Sequence, residues 1–283
     1  MDMESIVDEL LRKDTLGSDI IAWDYLSGGT SSVVAKIQCK NGQSYVVKRN
    51  APNLIYWESV FLQFYEDSTL LPRLVYAAKE YVVYAFLRGD TLSARPEKRK
   101  MLQDLTLGLI NDYKPILQGW QEQFSWKKFL QQEVMEAEAI IGSYLSDEDV
   151  ALIMQVVRSQ PREHLYLLHG DCGVHNFLFQ EGALCGVIDP LHLFGPPMYD
   201  FIFAFCSSPD SLDEETLQYG LSFFDKSFAG ELYGSVLIGL YIRLARCLLH
   251  HPEDLKRYLE AWEYWKLLYY KQKNSTTPNS SVK

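Results

Sequence analysis

The sequence predicts an α+β protein of two lobes, with a small antiparallel-sheet N-terminal lobe followed by a mainly helical C-terminal lobe. Three observations predict it. Five short strand-like runs crowd into residues 20–87; helical spacing dominates residues 97–160 and 200–272; and His169 to Asp189, HGDCGVHNFLFQEGALCGVID, interrupts the helices with a polar loop and a hairpin.

The composition sets bounds. With 283 residues the chain is long enough for two modest lobes, and 47% hydrophobic with 23% charged residues is the balance of an ordinary globular protein. The formal charge is −10, divided as −3 over residues 1–86 and −7 over the remainder, so no dominant cationic face is expected and a nucleic-acid partner is disfavoured. Cysteines 39, 172, 185, 206 and 247 form neither a CxxC pair nor a cluster with zinc spacing. The start, MDMESIVDELLRK, is acidic and amphipathic, unlike a signal peptide. No window of about 18 residues is apolar without a charge, so no membrane contact is expected and the expected setting is cytoplasmic.

Taken in order, residues 4–13 read as a short helix. Ile20 to Leu26, Val33 to Gln38 and Ser44 to Arg49 read as strands, the last two joined at Asn41-Gly42, a strong hairpin signal. Ser27 to Ser32, SGGTSS, joins the first two. Its adjacent Gly28 and Gly29, with Thr30 and Ser31, let backbone N–H groups approach phosphate oxygens, although a lone glycine pair is more often a plain turn. Lys48 interrupts the apolar third strand. Leu54 to Asp67 is helical, with an apolar face of Leu54, Trp57, Phe61 and Phe64 and with Glu58 at its border, from where the carboxylate reaches toward Lys48. Leu74 to Lys79 and Tyr81 to Leu87 form a tight hairpin, and the lobe boundary is expected near Phe86 to Gly89.

Residues 1–87 are thus expected as the N-terminal lobe, 88–272 as the C-terminal lobe, and 273–283 as a polar tail without structure. Arg95 to Lys100 reads as the solvated face of a helix start. Capping boxes are expected at Ser146 to Asp149 and at Ser211 to Glu214. Core packing is the better reading for Trp120, Phe124, Trp126 and Phe129, and for the stripe Tyr258, Trp262, Trp265 and Tyr269.

The chemistry sits in H-G-D-x-x-x-x-N. A loop aspartate, Asp171, is placed to accept a hydroxyl proton. Asn176 just before one strand of the hairpin and Asp189 just after the other bring two oxygen ligands for a metal to the same end of it. Cys172 and His175 have no partner elsewhere in the sequence that would make either a nucleophile or a metal ligand.

With these residues the chain resembles the aminoglycoside phosphotransferase and choline kinase-like family, over residues 20–205, with HGDCGVHN as the most specific motif. The resemblance implies a bilobal protein-kinase-like fold, with Asp171 as catalytic base and Asn176 and Asp189 as Mg2+ ligands. It further implies phosphate contact by Lys48, steadied by Glu58, and a cover of Gly28, Gly29, Thr30 and Ser31 over the phosphates. Adenine would lie against Phe86 and Leu87, His169 would buttress the loop, and Asp200 would tie it down. The implied activity is transfer of the γ-phosphoryl group of ATP, with GTP left open, to a small-molecule hydroxyl. Only ten residues separate Asp189 from Asp200, too few for a peptide-docking segment. An aminoglycoside-like or other amine-bearing acceptor, a metabolite such as choline, homoserine or a sugar, and a nucleotide-binding protein without catalysis remain as alternatives.

Overall fold

The computed structural model describes residues 2–26, 32–91, 97–117, 119–120, 124–161, 164–226, 228 and 230–276, the last without its side chain. The chain divides into two compact units. The first comprises Met1–Ala94, His169–Asp171 and His175–Leu193; the second comprises Arg95–Leu168, Cys172–Val174 and Phe194–Lys283.

In the first unit, helix α1 (Met3–Arg12) precedes strands β1 (Ile20–Tyr25), β2 (Val33–Cys39) and β3 (Ser44–Arg49), helix α2 (Pro52–Phe64), and strands β4 (Leu74–Ala77) and β5 (Tyr81–Ala85). The five strands form one antiparallel sheet in the order β1-β2-β3-β5-β4. Asp2 caps α1 by accepting from the Ser5 N–H. The apolar stripe Met3, Ile6, Val7 and Leu10 then packs on Ala35, Ile37, Tyr45, Val47, Tyr81 and Val83. Gly42, at φ 83°, closes the β2–β3 hairpin where a β-carbon would be strained.

Because side chains alternate along a strand, Tyr45 and Val47 point to the α1 side, and Val46 and Lys48 point to the other. Lys48 is buried there, in register with Val34 and Val82 on the neighbouring strands. The buried face of α2 is Ile55, Glu58, Phe61 and Leu62, so Glu58 lies in the middle of the covered face and not at its border as the sequence suggests.

Strands β7 (Phe177–Gln180) and β8 (Ala183–Val187), with β6 (Tyr166–Leu168) before them and β9 (Leu193–Gly195) after them, complete the strands. The β7–β8 hairpin, although it follows the long helices in sequence, belongs to the first unit. Backbone bonds explain the grouping. Asp90 and Phe179 exchange N–H···O bonds of 3.0 and 2.9 Å, and the Val187 N–H donates to the Leu70 carbonyl at 2.8 Å.

The second unit is helical: α3 (Lys98–Gly108), α4 (Trp126–Ile141), α5 (Asp147–Ser159), α6 (Met198–Cys206), α7 (Glu214–Leu221), α8 (Leu232–His250) and α9 (Leu255–Thr276). The capping box at Ser146 and Asp149 forms as expected. At α7 the cap is Asp213, which accepts from the Thr216 N–H, and Ser211 instead takes a left-handed conformation upstream. Helix α9 continues to Thr276, beyond the expected end at residue 272. Tyr258, Trp262, Trp265 and Tyr269 are all buried; the Trp262 indole donates to Asp149, and the Trp265 indole to the Leu212 carbonyl. That stripe is core, as its helical spacing suggests. Among the described residues, α8 is the one helix long and apolar enough to cross a membrane, but Leu237, Leu240, Tyr241 and Leu244 on it are buried against other helices of the unit.

The charged run at the start of α3 is not wholly solvated. Glu97 caps the helix, but Lys98 is buried, and its amine donates to the carbonyls of Phe205 and Ser208, both at 2.7 Å, at the end of α6. Burial pushes this amine down to about 7. Between about pH 7 and about 10 the unfolded chain therefore holds more protons than the folded protein, so the Lys98 contribution to stability rises with pH across that window. We expect urea unfolding to show wild-type stability gaining a few kcal/mol between those limits, with a limiting slope of about 1.4 kcal/mol per pH. Lys98→Met should flatten this rise. Equal slopes for the two proteins would rule out a neutralising Lys98.

Candidate active site

The site is built on one strand, one helix and one hairpin of the first unit. Lys48 projects from β3 and donates to Glu58 Oε2 at 2.7 Å and to Asp189 Oδ1. The lysine and glutamate side chains are 5% and 4% exposed, whereas that of Asp189 is 43% exposed. Burial opposes the charge on Lys48, but Glu58 and Asp189 outweigh it and hold the amine above its ordinary value. One ammonium therefore serves two carboxylates. The deeper of them, Glu58, retains part of its desolvation cost: burial raises its carboxyl against the pull of Lys48, and Asp189 adds to the rise. Glu58 Oε1 is buried and has no hydrogen-bond partner among the described residues.

Helix α2 holds the candidate site segment at two further points. Phe61 meets the His169 ring edge-on at 5.8 Å, and Trp57 stacks on His192 at 4.8 Å with the planes 6° apart. Three neighbouring positions of one helix thus reach the loop before Asp171, the lysine and the segment after Asp189.

His169 is fully buried. Its Nδ1 accepts from the Asp171 N–H at 3.2 Å, which leaves Nε2 to carry the proton and donate to the Ile188 carbonyl at 3.0 Å. Burial pushes its pKa down to about 4, so the ring is a neutral strut between the loop and the end of β8. Gly170 follows at φ 80°, and a β-carbon there would lie 3.0 Å from Cβ of Leu193.

Asp171 and Asn176 are held together by the turn between them. The Asn176 Nδ2 donates to the Asp171 carbonyl and to Asp171 Oδ2, both at 3.0 Å. Two acceptors on that side identify the nitrogen and turn the amide oxygen of Asn176 the other way. The Ile188 N–H donates to the Asn176 carbonyl at 2.9 Å, which continues the β7–β8 register and sets Asn176 and Asp189 at one end of the hairpin. Asp189 itself sits at φ 64°, a left-handed conformation that aspartate tolerates better than most side chains. An amide oxygen and a carboxylate at one hairpin end fit a hard divalent cation such as Mg2+, which takes one or two protein oxygens and completes its shell with phosphate and water. Among the described residues no group of three His, Cys, Asp or Glu side chains gathers, so no site of the zinc type competes.

The remaining expected residues are placed as follows. Gly28, Gly29, Thr30 and Ser31 lie outside the described residues. Phe86 and Leu87 follow β5; the ammonium of Lys36 lies 4.0 Å from the Phe86 ring centre, and Leu87 packs over Gly186 of β8. In the second unit Asp200 is fully buried and accepts from the Tyr113 hydroxyl at 2.6 Å, while that hydroxyl is 3.9 Å from the sulfur of Cys172. Nothing in the sequence marks Tyr113 for this role. His175 Nε2 lies 3.0 Å from Asp171 Oδ2. The i, i+4 spacing of the two residues is the one signal the sequence offers for it.

Comparison with solved structures shows the same fold. The streptomycin–ATP ternary complex of APH(2″)-IIa aligns at 20% identity over 90% of this chain and 92% of its own, with a TM-score of 0.58. The macrolide 2′-phosphotransferase MphH from Brachybacterium faecium aligns at 14% identity over 93% and 96%, with a TM-score of 0.62. Choline kinase from Cryptosporidium parvum Iowa II aligns at 10% identity over 97% of each chain, with a TM-score of 0.60. These likenesses show the expected protein-kinase-like fold, with its small antiparallel sheet and mainly helical remainder. No curated protein matches the sequence. Residues 24–232, well over half of the chain, match the model of the phosphotransferase enzyme family, and the chain belongs to that family.

Proposed function

We propose that this protein is a small-molecule kinase that transfers the γ-phosphoryl group of ATP to a hydroxyl of its acceptor. The observation that carries the reading is the position of Lys48, which bridges Glu58 on helix α2 and Asp189 at the hairpin end. Phosphoryl transfer needs little covalent chemistry from a protein. It needs a fixed cation at the phosphates, metal ligands beside it and a base at the attacking hydroxyl. In this reading Lys48 meets the nucleotide phosphates with its own position set by Glu58; Asn176 and Asp189 would hold Mg2+, which would supply charge neutralisation at the phosphate oxygens. Asp171 takes the proton of the acceptor hydroxyl as its oxygen bonds to the γ-phosphorus, and the bond to the bridging oxygen breaks to leave ADP. His169 keeps the loop in place without carrying charge.

The ten residues between Asp189 and Asp200 support a small acceptor over a peptide. An amine-bearing or sugar-like alcohol is the class to screen first, because a net charge of −10 favours neutral or cationic acceptors over anionic ones.

Incubation with Mg-ATP and a panel containing kanamycin, erythromycin, choline, homoserine and simple sugars should reveal an acceptor-dependent release of ADP. Asp171→Ala should lower kcat by about 10²–10⁴-fold while leaving the Mg-ATP thermal shift in place. Wild-type turnover by that variant would remove Asp171 as the base. Lys48→Met is expected to do the reverse, abolishing the nucleotide-induced shift. It should also lower stability by about 3–5 kcal/mol, since it leaves the Glu58 carboxylate buried without its cation. An unchanged shift with Mg-ATP would exclude Lys48 from the nucleotide site.

A further inference from the structure

We infer that His175 is a positioning residue for the proton-accepting carboxylate, holding Asp171 through its Nε2–H donor. The inference rests on the proposed role of Asp171 as base. Val174–Asn176 forms a single 3₁₀ turn between the loop and β7, and this turn brings the imidazole of His175 back over Asp171. The facing atom, Oδ2 of an ionised carboxylate, only accepts, so the Nε2 of His175 carries the proton in this contact.

Two donors therefore converge on one oxygen. Asn176 Nδ2 and His175 Nε2 each lie 3.0 Å from Asp171 Oδ2. A single bond would leave the carboxylate able to swing about Cβ–Cγ. Two bonds from different residues fix its plane, and with it the direction of the other oxygen. Asn176 is a poor sole anchor, because its amide also donates to the Asp171 carbonyl and its oxygen is assigned to the metal. His175 divides the load.

A histidine on an aspartate at the surface is ordinarily worth little. Here the two sides differ in burial. The Asp171 side chain is only 16% exposed, so its hydrogen bonds are sheltered, whereas His175 is 51% exposed and contributes little packing. Removing the imidazole should therefore alter carboxylate geometry more than it alters the fold. A base held off its productive orientation costs rate and not substrate binding, since small misplacements lower kcat by up to about 10²-fold.

The test uses the full-length protein and two readouts. The ¹H–¹⁵N spectrum of the wild type should show the His175 Nε2 proton, sheltered from exchange by Asp171. In Asp171→Ala that proton should vanish into exchange with water. In steady-state turnover of Mg-ATP with whichever of kanamycin, erythromycin or choline is phosphorylated, His175→Ala should lower kcat about 10–100-fold with both KM values unchanged. His175→Gln, whose amide nitrogen can stand near the place of Nε2, should restore most of kcat. Absence of the proton in the wild type overturns the inference, and so does a His175→Ala enzyme with wild-type kcat. A fall in kcat that glutamine does not rescue also overturns the donor role. Failure of the base assignment reads differently: Asp171→Ala would then retain turnover while the His175 proton of the wild type remained visible.

Discussion

The interaction on which the rest depends is the buried ammonium of Lys48, shared between the carboxylates of Glu58 and Asp189. A charge in that position is tolerated only because both partners are in place, and each partner comes from a different element. The strand supplies the lysine, α2 supplies Glu58, and the β7–β8 hairpin supplies Asp189. Removing the lysine leaves Glu58 buried without its cation, so sheet, helix and hairpin are tied together through one ammonium. That tie adds to the backbone bonds that group the hairpin with the first unit, although it is separated from it in sequence by the helices α3 to α5.

The apolar contacts of α2 reinforce the same arrangement. Trp57 on His192 and Phe61 against His169 fix the helix to the segments on either side of the site, while Ile55 and Leu62 bury it within the unit. The helix is thus committed by packing, and Glu58 is carried to Lys48 as a consequence. The loop is organised differently, by hydrogen bonds. His169 bridges the Asp171 N–H to the Ile188 carbonyl, and Asn176 and His175 close on the Asp171 carboxylate. Each of these donors has an acceptor that belongs to the same short stretch, so the geometry is local.

Most of the site is legible in the sequence because its spacing is local or its residue types are unusual for their place. A lysine in an apolar strand, an Asp and an Asn five apart and an Asp at a strand end mark Lys48, Asp171, Asn176 and Asp189 by themselves. The pairing of Lys48 with Glu58 is also legible, but not the depth of Glu58. Helical spacing draws the apolar face of α2 through Leu54 and Phe64, which are half-covered, whereas the helix turns Ile55 and Leu62 inward. Lys98 is hidden for a related reason. In a run of charges nothing distinguishes the one side chain whose helix end faces the carbonyls of Phe205 and Ser208.

What the sequence determined by itself is therefore the order of the elements and the choice of candidate site residues, since strand alternation, helix period and loop spacing are properties of neighbouring residues. Tertiary structure alone decided which of those groups share a charge and which oxygen of Asp171 is held. It brought Trp57 to His192 and Tyr113 to Asp200 across 135 and 87 positions of chain, and it gave His175 a partner that lies only four residues away. Contacts at such separations depend on how faces pack, and even the short one depends on the direction of a single turn. Neither leaves a periodic trace in the amino-acid order.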